Sequence, residues 1–364
     1  MNRYVFYPVV LCMLANTILF VPTLLIGQRN DGAFASIGFS IILGYGFARL
    51  FATSLAKFPG QGLPEIFEQL LPGWVGKSFL LYLAVMWFMA GGIVLVTYSR
   101  IIQRFVNPDF NLHLLILFLA VVSSIAASGD SRSVMYLCEV LLFLNVPLIG
   151  LILFKALSNK YMDWDAVWSL TDYVFAPPSW QALSASSYVF TGYVNWSILN
   201  RSFPIGRKPG FIWAIPILGT GVLLTTFLIP VGLHGTVAVD HYIYIWISTA
   251  DSLRMEFGFV ERVLFVFLLL YLSVCLLFIT LTWHIGMELT KGLLPRTIEN
   301  ALNNRLPWDK WAIFGTVTAG FMLLSRYFNE KQFIELTSFW LEIRLPSELL
   351  LVSLLWWLGR KVSA

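Results

Sequence analysis

Long apolar runs alternate with short polar stretches from one end of the chain to the other. Tyr4–Gln28, Ser78–Ser99, Pro209–Val239 and Val263–Met287 contain no Asp, Glu, Lys or Arg. About 20 apolar residues coiled as a helix cross ~30 Å of hydrocarbon, so runs of this length predict a polytopic membrane protein. Trimmed at charges and turn residues, the pattern predicts ten transmembrane helices: Tyr4–Leu25, Phe34–Leu55, Ser78–Ile102, Leu112–Ala127, Val134–Phe154, Trp180–Leu199, Phe211–Leu233, Glu261–Trp283, Trp311–Tyr327 and Leu345–Leu358. The runs are too long, and lack the alternation, for an outer-membrane barrel, which makes the class all-α. The last segment is the shortest, and nine spans with a re-entrant end is the alternative. The first run is longer than a signal-peptide core and reads as a retained span.

Three connections are long enough to carry structure. Lys57–Lys77 reads as a turn followed by an amphipathic helix from Pro64 to Leu71. Lys155–Ser179 is polar and aromatic. His234–Phe259 sets Asp240, Asp251, Arg254 and Glu256 around the apolar stretch Tyr242–Ile247, which predicts a helix lying on the membrane surface. Each reads equally as a plain loop or as part of a gate. Basic residues flanking the spans, among them Arg3, Lys57, Lys77, Arg201, Arg360 and Lys361, favour cytoplasmic termini; Arg344 falls in a loop on the opposite side.

Composition agrees with the pattern and narrows the function. The chain is 58% hydrophobic and 12% charged, against roughly 25% charged in soluble domains. Its net charge of +4 is dispersed, which excludes the clustered basic stripe of a nucleic-acid-binding protein. Cys12, Cys138 and Cys275 lie inside predicted spans without the neighbouring donors that a zinc site requires, so neither a metal nor another cofactor is implied. Phosphate-binding loops, metalloprotease His pairs and nucleophile elbows are missing from the sequence, which argues against an enzyme.

Two spans have polar centres. In the first, Ala15-Asn16-Thr17 precedes Pro22, whose missing amide hydrogen breaks the helical ladder. In the sixth, SASSYVFTGYVNWSILN sets Ser184, Ser186, Ser187, Thr191, Gly192, Tyr193 and Asn195 in an uncharged segment. Two readings stand. Either these segments are unwound and offer free peptide ends to a shared cavity, in the manner of transporters, or Pro22 kinks one helix and small residues let the other pack closely. Span three adds Gly91 and Gly92, with Tyr98 two turns from Gly91. Glu139, inside span five, is a proton-coupling group or a structural charge, with Arg49 its most obvious partner. His284 and Glu288 are spaced for a local pair. Trp74, Trp311, Trp340, Trp356 and Trp357 read as interfacial belts.

The blocks YVFYPVVLCMLANTILFVPTLL, KFPGQGLPEIFEQLLPGWVGK, MYLCEVLLFLNVPLIG and PPSWQALSASSYVFTGYVNWSILNRSFP, in this order, resemble the B subunit of bacterial spore-germination nutrient receptors, a branch of the amino acid–polyamine–organocation transporter superfamily. The resemblance implies a leucine-transporter-type fold with two inverted five-helix repeats, residues 4–154 and 180–358, in which helices one and six are broken. It further implies the inner membrane of the spore, a receptor with an A subunit and a lipoprotein C subunit, and recognition of a small germinant such as an amino acid. Carried onto this chain, the pocket wall is Asn16, Thr17 and Phe20, Gly91 and Tyr98, and Ser187, Thr191, Gly192 and Tyr193. Two departures stand out: no glycine occurs between Tyr4 and Ile26, and Tyr193-Val194-Asn195 stands where germination relatives often carry a glutamate. The alternative function is an autonomous proton-coupled amino-acid transporter.

Overall fold

The computed structural model describes residues 2–203, 210–253, 263–294 and 308–362, and every regular element among them is helical. The chain runs through α1 (Asn2–Asn16), α2 (Phe20–Gly27), α3 (Ala33–Leu55), α4 (Leu63–Leu70), α5 (Gly73–Phe105), α6 (Leu112–Ala127), α7 (Ser131–Leu157) and α8 (Trp164–Ser169). It continues through α9 (Trp180–Tyr188), a 3-10 turn over Thr191–Asn195, α10 (Trp196–Leu199), α11 (Ala214–His234), α12 (Ile245–Ser252), α13 (Val263–Lys291), α14 (Trp308–Tyr327) and α15 (Glu330–Lys361).

The expected ten spanning helices, and with them the five-plus-five repeat, are overturned. Among the described residues five helices are long and apolar enough to cross a bilayer, namely α3, α5, α7, α11 and α13, and a sixth is gained if the bent pair α1–α2 counts as one span. The other expected spans fall short for different reasons. Helix α6 has only 16 residues. The stretch from 180 to 199 is divided into nine helical residues, a 3-10 turn and four more helical residues. Helix α14 is 20 residues long but carries Asp309, Lys310 and Arg326 at its ends. Leu345–Leu358 is no separate span: it is the C-terminal part of the 32-residue α15, with Pro346 inside the helix and charges spread along it. Trimming at charges isolates apolar cores, yet whether a core belongs to a spanning helix depends on what continues on either side of it.

Helix α13 is the central post, packed most extensively against α5 and also against α6 and α7. Helix α9 lies between α3 and α15, and the 3-10 turn after it rests on α1. Close approach is bought with glycine: Phe190 inserts between α3 and α11, where a methyl group on Gly44 or Gly219 would stand 2.4 and 2.1 Å from its ring. The outer faces of α6 and α7 expose Phe118, Phe143, Leu151 and Phe154. An apolar surface of this kind belongs in lipid, and with the several long apolar helices it makes this a membrane protein.

Local chemistry sets several ends. Helix α4 starts where the Gly62 amide donates to Glu65 Oε2 at 2.7 Å, and it buries Leu63, Pro64, Ile66 and Phe67, the apolar side of the expected amphipathic helix. Helix α12 buries Ile245, Trp246, Ile247 and Ala250 and packs on α11 and α13, so the apolar side of this stretch faces the protein. Arg254, Glu256 and the first residues of the expected Glu261–Trp283 span lie outside the described residues.

Candidate functional site

One face of α15 carries Trp340, Arg344, Ser347, Glu348 and Leu351, the spacing that stacks side chains along a helix. Arg344 and Glu348 are 5% and 6% exposed and form an ion pair one helical turn apart. Buried charges persist only when their remaining hydrogen-bonding capacity is met, and the polar segment 184–193 meets it. Arg344 Nη1 donates to Thr191 Oγ1 at 2.6 Å, and Nη2 donates to Ser187 Oγ at 2.6 Å and to the Ser184 carbonyl at 2.7 Å. Glu348 accepts from the Tyr193 hydroxyl and, at 3.2 Å, from Thr191 Oγ1. The Tyr188 ring lies 5.1 Å from the Arg344 guanidinium carbon. Serine, threonine and tyrosine in an apolar segment thus find their purpose in a pair of charges supplied by another helix.

The pair borders a cavity of about 60 Å³, large enough to hold water. Its polar wall is Thr191, Asn195, Arg344, Ser347 and Glu348, and its apolar wall includes Leu83, Trp87, Ala90, Phe278 and Trp340. Trp87 Nε1 donates to Asn195 Oδ1 at 2.9 Å, and Asn195 Nδ2 donates to the Gly192 carbonyl at 3.0 Å, which fixes the amide against the 3-10 turn.

Of the polar residues of the sixth segment named from the sequence, Thr191 and Asn195 line this cavity, and Ser187 and Tyr193 hold its charged pair from behind. Gly192 is a packing seat: a methyl group there would stand 2.6 Å from Val9 Cα and 2.8 Å from the Pro8 carbonyl. Gly91 likewise seats Thr282 and Trp283 of α13. Tyr98 is fully buried and donates to the Leu268 carbonyl. Asn16 turns back onto the Cys12 carbonyl at 2.8 Å, and Thr17 onto that of Met13 at 2.8 Å. Thr17 also lines a separate, almost wholly apolar void of about 40 Å³ beside Trp246 and Phe267. Phe20 is buried at the start of α2. Glu139 is half-buried and accepts from Tyr7 Oη at 3.3 Å, while Arg49 is exposed beside Tyr45, so the expected pairing gives way to separate partners. His284 contacts Ser131 Oγ and the Ala127 carbonyl, and Glu288 pairs with Arg201 and Lys291 instead of His284.

The first break also differs from the expectation of free peptide ends. Helices α1 and α2 meet at 55°, but the Ala15 carbonyl accepts from Tyr271 Oη at 3.0 Å and the Thr17 carbonyl from Thr226 Oγ1 at 3.0 Å. Those groups are spent within the protein. Arg344 and Glu348 escape the sequence reading as site residues because charges mark span boundaries, and Trp340 because it reads as an interfacial belt; Trp87 is one apolar residue among many inside the third expected span. Trp340 is 7% exposed and lines the cavity, whereas Trp74 is 78% exposed. The one signal available was the number of hydroxyls on the segment facing them.

The family model described as spore germination protein matches residues 2–307. The chain belongs to this family. No curated protein matches the chain closely enough to count as a relative. The matched residues include the cavity walls from α5, the 3-10 turn and α13, and end before α14 and α15. Three further ion-paired groups lie elsewhere among the described residues. Arg201 joins Glu65 at 2.6 Å and Glu288 at 2.7 Å, tying the first turn of α4 to α13; Arg29 joins Asp240 at 2.6 Å, and Arg104 joins Glu330 at 2.9 Å.

Proposed function

We propose that this spore germination protein is the membrane subunit of a nutrient receptor, that it binds a small nutrient in the cavity beside Arg344 and Glu348, and that occupancy of the cavity triggers germination. The observation that carries this reading is the buried ion pair, held by Ser187, Thr191 and Tyr193 and left bordering a cavity. Ligand sites are concave and mostly apolar, with a few polar groups that converge. A rearranged pair would pull on α15 and on the segment from 184 to 193 together, which gives binding a route to the rest of the protein. The resemblance noted in the sequence supplies the partners, an A subunit and a lipoprotein C subunit, and the location, the spore inner membrane.

Filling the cavity tests this. Ala90→Leu puts a larger side chain into the apolar wall, and Leu117→Phe, on the exposed face of α6, is the control. Spores carrying Ala90→Leu at normal abundance should need at least about tenfold more nutrient for the same germination rate, the effect of about 1.4 kcal/mol of lost affinity. Spores carrying Leu117→Phe should respond as the parent does. An unchanged response in Ala90→Leu would remove the cavity from the pathway.

A further inference from the structure

We infer that the apolar void beside the bend between α1 and α2 is a second binding site, entered from the lipid, for a small membrane-soluble molecule that carries one hydroxyl group on an alkyl chain. This site stands apart from the proposed nutrient cavity and does not depend on it. On α1, Cys12 lines the nutrient cavity, whereas Leu14, about 200° further round the helix, lines the void together with Thr17 and Ile18 from the break itself.

Three polar groups share a wall that is otherwise apolar. Trp246 is 2% exposed, and its Nε1 is buried without a hydrogen-bond partner. Native interiors leave few such donors unmet. The indole is held in place by stacking on Phe267, with ring centroids 6.4 Å apart. Thr17 Oγ1 and Thr225 Oγ1 have already donated their hydrogens, to the Met13 carbonyl at 2.8 Å and the Gly221 carbonyl at 2.8 Å, so each offers a newcomer only lone pairs. One unmet donor beside two acceptors is the complement of a hydroxyl, which both accepts and donates. A ketone has no hydrogen for the threonines, and an ammonium cannot accept from Trp246 and would bring an unpaired charge into an apolar wall. Water would match the three polar groups but leave Ile18, Ile152 and Leu270 against a polar molecule; an alkyl chain on the hydroxyl covers them.

The way in lies between α7 and α11. There the rim residues Ile149, Leu153, Val222 and Thr225 are all half-buried, and the nearby Phe154 and Leu218 are exposed apolar side chains of the lipid-facing surface. With a volume of about 40 Å³, the void takes the hydroxyl and the first carbons. The remaining chain leaves through this gap and stays in hydrocarbon, so no apolar surface is returned to water.

The test is photolabelling of the purified full-length chain in lipid nanodiscs. The probes are an octanol with a diazirine close to its hydroxyl and the diazirine-bearing octane, at equal membrane concentration, with labelled residues read by peptide mass spectrometry. The alcohol should label residues 149–153 or 222–225 saturably and at least about fivefold more than the hydrocarbon does, the preference expected of one net hydrogen bond. Unlabelled hexanol should compete and hexane should not. Trp246→Phe keeps a ring and removes the N–H, and Val222→Trp plugs the half-buried rim. Each should lower this labelling at least about threefold while labelling at Phe118, on the lipid-facing side of α6, stays as in the parent. Equal labelling by the hydrocarbon, or labelling that never saturates, would mean lipid contact alone and overturn the inference. Saturable labelling unchanged in both variants would place the alcohol elsewhere and overturn it too. The nutrient reading is tested separately by Ala90→Leu, so the two fail independently.

Discussion

Truncating Glu348 leaves the Arg344 guanidinium buried with its counter-charge gone, and losses of that kind cost about 3–5 kcal/mol. Glu348→Ala should therefore lower the unfolding temperature of the purified protein far more than Glu335→Ala, on an exposed stretch of the same helix; equal shifts would mean that the pair is not buried in solution. Gly192 makes a second prediction. A methyl group there meets backbone atoms of Val9 and Pro8, which cannot swing aside, whereas one at Gly221 meets open space. Gly192→Ala should cost about 1–3 kcal/mol by overpacking, and Gly221→Ala should fall within about 0.5 kcal/mol of the parent. Half of the site was legible at this scale. Ser187, Thr191 and Tyr193 are conspicuous because hydroxyls in an apolar segment need partners. The partners were not legible, because Arg344 and Glu348 lie next to Pro346 in a stretch that reads as a loop entering a short helix. Gly91 has no side chain and Tyr98 carries a hydroxyl on the same face, features that suit a cavity and a helix contact alike, and here both make contacts to α13.

Elements break where the sequence weakens them, but their neighbours decide what the break exposes. Helix α1 ends at Asn16 and α2 begins at Phe20, which puts Pro22 in the first turn of α2, where its missing amide would have lacked a helical partner in any case. The carbonyls released between them are taken by hydroxyls of α13 and α11. Removing those hydroxyls with Tyr271→Phe and Thr226→Val should each cost about 1 kcal/mol, more if the carbonyl finds no other donor. Thermal unfolding of the two single variants checks this, and no loss in either would show that the break does not depend on them. The sequence located this polar centre and the one after Tyr188. It did not show that Tyr271 and Thr226, hundreds of residues away, already occupy the first.

For the whole molecule, composition and run length were enough for an all-α membrane protein, since that much apolar surface has no other home. The number of spans was not, because length and charge are properties of the complete helix. Helix α15 shows why: its apolar end looks like a short span, yet the full helix runs from Glu330 to Lys361 and turns its charges inward through Arg344 and Glu348. A buried ion pair beside a small cavity is where α5, α9, α13, α15 and the 3-10 turn meet, and the functional account depends on that cavity being the nutrient site. A structure of the chain in lipid nanodiscs, determined with saturating nutrient and without it, tests this most directly. The account predicts additional density between Trp87, Asn195 and the Arg344–Glu348 pair, with the pair opened. Nutrient density beside Thr17 and Trp246 instead, with the Arg344–Glu348 pair intact and its cavity unchanged, would contradict it.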